Sequence, residues 1–317
     1  MNSTPRTLGP AAYAAFPLGG IGTGTISVGA RGDLRDWEIS NRPDKGSWLP
    51  LSFFVIRTST ETGDVAARVL EGPIQPPYGG DSGYRKGNLA GLPRMATSEF
   101  VGEYPLARIA FSDPAVPVEV VWEGFNPFVP QDADDSGIPG AYWRYSVTNH
   151  SADALEVSIA GLLANPIATD GRDLFHGVRY KGVPSVHEVS TDGITGIAFR
   201  TNLDDADVDF GTAVLASSDP AVTTISRWPA NTWGDGAQVF WDRFTAQGHI
   251  DGTFSAEQVA AIEARSPFEI TQSVGSVCSR RTVAAGETAT FEFVITWHTP
   301  NRPRAWNGHI GLANTHG

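Results

Sequence analysis

Short stretches in which apolar and polar residues alternate recur along this chain, and Gly/Pro-rich turns separate them. Trp143–Thr148 sets Trp, Tyr and Val against Arg, Ser and Thr, the pattern of a strand with one buried face. Thr290–Trp297 opens on a clean alternation of the same kind. Ser52–Thr58, Ala107–Ser112, Val118–Trp122, Leu155–Leu163, Gly196–Arg200, Thr212–Ala216, Val222–Ser226 and Ile270–Ser276 are further strand candidates, rich in β-branched and aromatic residues. The Gly-rich run Phe16–Val28, the turn signal Ala30-Arg31-Gly32-Asp33 and the following Leu34–Ser40 predict a hairpin. Helical spacing is rare. It is confined to Ala237–Gln247, closed by Gly248, and to Ala256–Arg265, with Ser255 as N-cap. The pattern predicts an all-β protein: a large antiparallel β-sandwich with one or two short helical excursions. Residues 1–15 are expected to be an extended lead-in and 16–300 the sandwich, with 301–317 beginning a linker where Thr299-Pro300-Asn301-Arg302-Pro303 breaks the β pattern.

Composition narrows the possible partners. The 317 residues are 41% hydrophobic and 18% charged, a globular balance. The formal net charge is −12, which argues against nucleic acid and anionic membrane surfaces and suits a neutral ligand. The single cysteine, Cys278, excludes an intramolecular disulfide. No apolar run is long enough to span a bilayer, and Met1–Arg6 leads into no signal-peptide core. A cytoplasmic location is the expectation, and the sequons at Asn2 and Asn149 are read as chance.

Several constellations invite a chemical reading. Gly19, Gly20, Gly22 and Gly24 have the spacing G-x-G-x-G and are followed by β-prone Thr25, Ile26 and Val28. A dinucleotide fingerprint needs G-x-G-x-x-G opening a helix, so these glycines are read as turn residues. Asp132–Gly137 resembles the start of a calcium loop, but Trp143 stands where the bidentate glutamate belongs. The histidines show no H-E-x-x-H spacing, so no metal or other cofactor is expected. Cys278 lies in an apparent strand and is read as core. Glycosidase chemistry needs two carboxyl groups about a bond, and the sequence alone pairs none of the acids, Asp33, Asp36 and Glu38 included. Tryptophans in polar loops, Trp37, Trp48 and Trp233, are candidates for stacking on sugar rings.

Five ordered segments carry a resemblance. They are Phe16–Gly24; Gly32–Glu38 with Asn41-Arg42-Pro43; Phe125–Pro130 leading to Asp135–Pro139; Gly234–Phe244; and Trp297–Arg302. Together they resemble the N-terminal domain of glycoside hydrolase family 116, which holds β-glucosidases and non-lysosomal glucosylceramidases. The resemblance implies a β-sandwich that packs on a C-terminal (α/α)6 barrel, and that barrel would hold the nucleophilic glutamate and the acid/base aspartate. It implies retaining hydrolysis of β-glucosides without a cofactor, the substrate being met by the full-length protein. The barrel is expected soon after Trp306, and no residue here matches its catalytic motifs. Within this chain the substrate-facing candidates are Trp37, Glu38, Asn41, Arg42, Trp48 and Trp233, with the Trp37–Pro43 loop reaching toward the cleft. The face meeting the barrel is expected to be apolar. Two rival readings are a free-standing carbohydrate-binding module, which needs an exposed aromatic platform, and a complete enzyme with its site in the sandwich.

Overall fold

The computed structural model describes residues 6–8, 14–75, 89, 91–173, 177–228, 235–250, 254–264 and 273–301. Strands dominate, and all the named pairings are antiparallel. The elements used below are β1 (Arg6–Leu8), β2 (Ala15–Leu18), β3 (Thr25–Gly29), β4 (Leu34–Glu38), β5 (Phe53–Ser59), β6 (Val65–Val69), β7 (Thr97–Glu103), β8 (Leu106–Ser112) and β9 (Val118–Phe125). They continue with α1 (Ala133–Ser136), β10 (Gly140–Asn149), β11 (Leu155–Ala164), β12 (Thr169–Asp173), β13 (Gly177–Tyr180), β14 (Pro184–Thr191), β15 (Ile194–Thr201), β16 (Thr212–Ser217) and β17 (Val222–Ile225). The last are α2 (Asp235–Gln247), α3 (Ala256–Glu263), β18 (Val274–Val283) and β19 (Thr288–His298). One sheet of nine strands runs β1-β7-β8-β9-β10-β19-β16-β15-β14, and a sheet of five runs β17-β18-β11-β5-β6.

The two sheets close on an aromatic seam. Phe54 of β5 lies 6.0 Å from the Trp143 ring of β10 and 5.3 Å from Phe293 of β19. Such ring pairs add to the area term in holding the layers together. The strict alternation of β9, β10 and β19 follows from this, since their other face is open to solvent. β5 and β11 instead are buried along nearly their whole length. The reason is a second cover. Phe240 and Phe244 of α2, spaced i and i+4, stack at 5.6 Å, and Phe240 meets Phe53 at 6.1 Å. Phe54 therefore faces the sandwich interior while its neighbour Phe53 packs under the helix. Gly248, at φ 68, closes α2 by donating its N–H to the Phe244 carbonyl at 2.8 Å.

The expected sandwich is therefore the observed fold, with adjustments. β6, β7 and β14 were not anticipated, because their sequences mix Ala, Gly, Glu and Ser into the apolar pattern. The strand expected at Ile270–Ser276 is observed as Val274–Val283, and residues 270–272 lie outside those described. The acidic run at 132–137 is a short capped turn in which Asp132 Oδ1 accepts from Asp135 N–H at 2.9 Å. Asn149 is fully buried, and its amide donates to the Asp153 and Val283 carbonyls at 2.8 and 3.0 Å, so this sequon offers no accessible acceptor. Cys278 is buried in β18, and burial pushes its thiol up to about 12, which leaves it inert. Among the described residues no helix is long and apolar enough to cross a membrane.

A buried charge cluster pins the β3–β4 turn to the chain after β6. Glu71 pairs with Arg31 and, at 3.0 Å, with Arg94, and Arg31 reaches Asp33 at 3.3 Å. Burial alone would raise the Glu71 carboxyl, but the two guanidiniums outweigh it and hold it below its usual 4.5. Burial raises Asp33 despite Arg31. A depressed folded value means that Glu71 contributes stability in full above about pH 4.5 and loses it as the pH falls through the lowered value. Glu71→Gln leaves two cations facing a neutral group and is expected to cost about 3–5 kcal/mol at pH 7. Urea unfolding at a series of pH values checks this: the gap between parent and variant should close as the pH drops below about 4.5.

Candidate functional site

The sequence-derived candidates cluster on the loop that follows β4. This loop is built by its own acids. Asp36, at φ 52, receives the Gly46 N–H on Oδ1 at 2.7 Å and donates its own N–H to the Ser47 carbonyl at 2.9 Å. Trp37 N–H donates to Ser47 Oγ at 2.7 Å, and Glu38 Oε1 accepts from Asp44 N–H at 3.1 Å. Lys45 then sits 2.6 Å from Glu38 and 3.7 Å from Asp36. Asp36 and Glu38 thus act as acceptors that close a loop about an ammonium.

The loop is strapped to distant segments. Asn41 Nδ2 donates to the carbonyls of Thr299 and Asn301 at 3.2 and 3.4 Å, and Thr299 Oγ1 donates to the Ile39 carbonyl at 3.0 Å. Arg42 donates to the carbonyl of Thr169 at the start of β12. Asn301 is itself buried and donates to the carbonyls of Asp205 and Asp207 at 2.6 and 2.7 Å. So Glu38 turns back into its own loop, Asn41 reaches the segment that follows the last strand, and Arg42 reaches β12. Trp37 does not join them at the surface. It stands on β4 with 4% exposure, inside the core, which corrects its placement as a loop tryptophan. The local pattern explains this: the positive φ at Asp36 puts two consecutive buried residues in β4 and turns the indole inward. Trp48 is half-buried, and Trp233 lies outside the described residues.

The Gly-rich turn forms the other wall of this end. Leu18 pairs with Ile26, so residues 19–24 turn between β2 and β3. A Cβ on Gly20 would stand 2.5 Å from the backbone of Gly137 and Ile138, and one on Gly19 would stand 2.8 Å from the Trp297 ring. That contact lets Ile21 N–H donate to the Ser136 carbonyl at 2.7 Å and Trp297 Nε1 donate to the Thr23 carbonyl at 2.7 Å. It leaves Ile21 and Ile138 exposed side by side at 54% and 53%. Phe128, Val129 and Tyr104 are also exposed there, with Tyr104 and Phe128 rings 5.7 Å apart. Sequence reasoning found the loop but missed this patch. Its residues come from four separate segments, brought together by the close approach of Gly20 to the 137–138 backbone and by the bonds of Tyr104 to Asn126 and of Val129 to Ser136.

The carboxyl that burial raises, Asp33, belongs to the Arg31–Glu71 ion cluster, and the loop acids are spent on the loop's own amides. A two-carboxylate glycosidase site needs acids free to flank a bond, and neither group has that freedom.

Comparison with known proteins adds a family. The model described as beta-glucosidase 2, glycosyl-hydrolase family 116 N-term matches residues 15–312. Among solved structures, the glycoside hydrolase family 36 alpha-galactosidase of Geobacillus stearothermophilus superposes at a TM-score of 0.42 with 10% identity, covering 93% of this chain and 41% of that one. A polysaccharide lyase superposes at 0.35 with 11% identity, covering 88% of this chain and 31% of that one. The chain therefore spans less than half the length of either protein.

The strap makes a local prediction. Asn41→Ala removes both bonds to the 299–301 segment and is expected to cost about 1 kcal/mol. Amide exchange at Asp44 and Gly46 should accelerate well beyond that of the β10–β19 core. Unchanged exchange there would show that the loop orders itself without the strap.

Proposed function

The chain belongs to the N-terminal domains of glycoside hydrolase family 116, and from that we propose that it is the non-catalytic β-sandwich of a retaining β-glucosidase-like enzyme. Its partner would be a catalytic barrel that follows it in the full-length protein and supplies the nucleophile and the acid/base. The sandwich would stabilise that barrel and shape the mouth of its cleft, where the β-glucoside enters.

One observation carries this reading. The exit of the last strand, the strapped 39–48 loop and an exposed apolar patch share one end of the sandwich. Trp297 N–H donates to the Pro139 carbonyl at 3.1 Å, one residue from the exposed Ile138, so chain exit and patch are neighbours. Exposed apolar clusters of this kind favour contact with another protein surface over water. The loop between them, with Glu38, Asn41, Arg42 and the half-buried Trp48, would line the cleft edge. Its straps to 299–301 would couple the loop's shape to the seat of the barrel.

The test compares the chain with its full-length parent. The 317-residue chain alone is expected to bind a hydrophobic dye, to self-associate, and to leave an aryl β-glucoside unhydrolysed. In the full-length protein, Ile21→Asp with Ile138→Asp should lower glucoside turnover at least tenfold and lower the unfolding temperature. In the isolated chain the same pair should shift stability by no more than about 1 kcal/mol while reducing dye binding. Hydrolysis by the chain alone, or a full-length variant indistinguishable from its parent, would remove the proposal.

A further inference from the structure

The open face of the nine-stranded sheet has an order that neither the aromatic seam nor the exit end requires. Register places Leu106, Phe125 and Tyr142 side by side on β8, β9 and β10, followed by Val294 on β19. The neighbouring row, two residues along each strand, is Arg108, Glu123, Arg144 and Glu292. An apolar and aromatic row thus runs beside a row of alternating charge, both perpendicular to the strands. A groove of about 430 Å³ lies over the two rows, within the range of small-ligand sites.

The details of these rows favour one class of ligand. The Phe125 and Tyr142 ring centroids are 5.4 Å apart and their planes are tilted by 48°, so they present two separate ring faces instead of one flat plane. Tyr142 is held in place because its hydroxyl donates to Glu292 Oε1 at 2.5 Å. Arg108, Glu123 and Arg144 are exposed neighbours in register, yet no ion pair within 4.0 Å joins them to one another among the described residues. Their planar, two-pronged groups keep hydrogen-bonding capacity for something lying over the sheet. The groove's two guanidiniums offset the carboxylates of Glu103 and Glu123, although the chain as a whole carries −12. A donor-and-acceptor-rich surface of mixed charge beside tilted aromatic faces suits an uncharged polyhydroxylated chain: sugar rings stack on the aromatics and their vicinal hydroxyls meet the charged row. A flat crystalline surface would need coplanar rings. An anion would meet Glu103 and Glu123, and a purely apolar partner would leave the charged row desolvated.

We propose that the open face of β8–β10 is a binding site for a single chain of a neutral glycan, with Phe125 and Tyr142 as stacking platforms and Arg108, Glu123 and Arg144 as hydroxyl-binding groups. A second groove of about 680 Å³ continues along β7–β9 and is lined by Thr97, Glu99, Ser112, Glu119 and His150. It gives a longer chain further hydroxyl and carboxylate partners. The site needs no catalytic domain, so it stands independently of the function proposed above.

Electrophoresis of the 317-residue chain through gels containing barley β-glucan, hydroxyethylcellulose or xylan reads the site directly. Retardation is expected on at least one of these neutral glycans. It should weaken at least tenfold in Phe125→Ala and in Arg144→Ala, with circular dichroism unchanged. Val65→Ala, on the edge of the other sheet, is the control and should migrate like the parent. Three outcomes would overturn the proposal: no retardation on any of the glycans, retardation that both substitutions leave intact, or sedimentation showing a dimer that Phe125→Ala dissolves. The last would assign the face to contact between copies of this chain.

Discussion

The end of the sandwich where the first hairpin meets the last strand depends on one steric constraint, the absence of side chains on Gly19 and Gly20. Gly19 lies against the Trp297 ring and Gly20 against the backbone of Gly137 and Ile138, at separations no Cβ could occupy. That clearance lets the first hairpin, the capped 132–136 turn and the last strand meet. From it follow the hydrogen bonds of Ile21 and Trp297 and the exposure of Ile21 beside Ile138. A methyl group at Gly20 would separate the turn from the 137–138 backbone. The apolar patch and the exit of the chain would then lose their common frame.

Behind this end, the fold sorts its charges by burial. Asp33 and Glu71 are enclosed with Arg31 and Arg94, where unpaired ions would be costly, and they fix the β3–β4 turn against the chain that follows β6. Asp36 and Glu38 are instead consumed by backbone amides and Lys45, which shape the 39–48 loop. On the open sheet face, Arg108, Glu123 and Arg144 lie in register, and no ion pair joins them to one another among the described residues. These situations separate the charges held in a buried ion cluster from those that shape a loop.

The two faces of the nine-stranded sheet illustrate how alternation serves two purposes. Inward residues such as Trp143 and Phe293 build the seam with Phe54. The residues between them are released from packing and can be chosen for recognition. A strand buried on both faces, such as β11, has no such freedom: its Ser158 hydroxyl donates to the carbonyl of Gly248, the residue that closes α2, and its other face meets the opposing sheet.

Some of this was legible in the residue order alone. The alternation in Trp143–Thr148 and Thr290–Trp297 determines a half-buried strand wherever it occurs, because side chains on a strand alternate with period two. The glycine spacing after Phe16 determines a turn and excludes a nucleotide cradle, and the ordered segments mark the family. The polar residues of Trp37–Pro43 also mark a loop there, because Asn41 and Pro43 break the strand pattern. Only the tertiary structure decided that Trp37 is core, because one positive φ at Asp36 reverses the face it takes. It also decided that Phe125 and Tyr142 are neighbours, and that Ile21 and Ile138 form one patch. Those contacts join residues far apart in the chain. Their proximity is set by strand register and by steric clearance between backbones, and neither leaves a local signature in the order of residues.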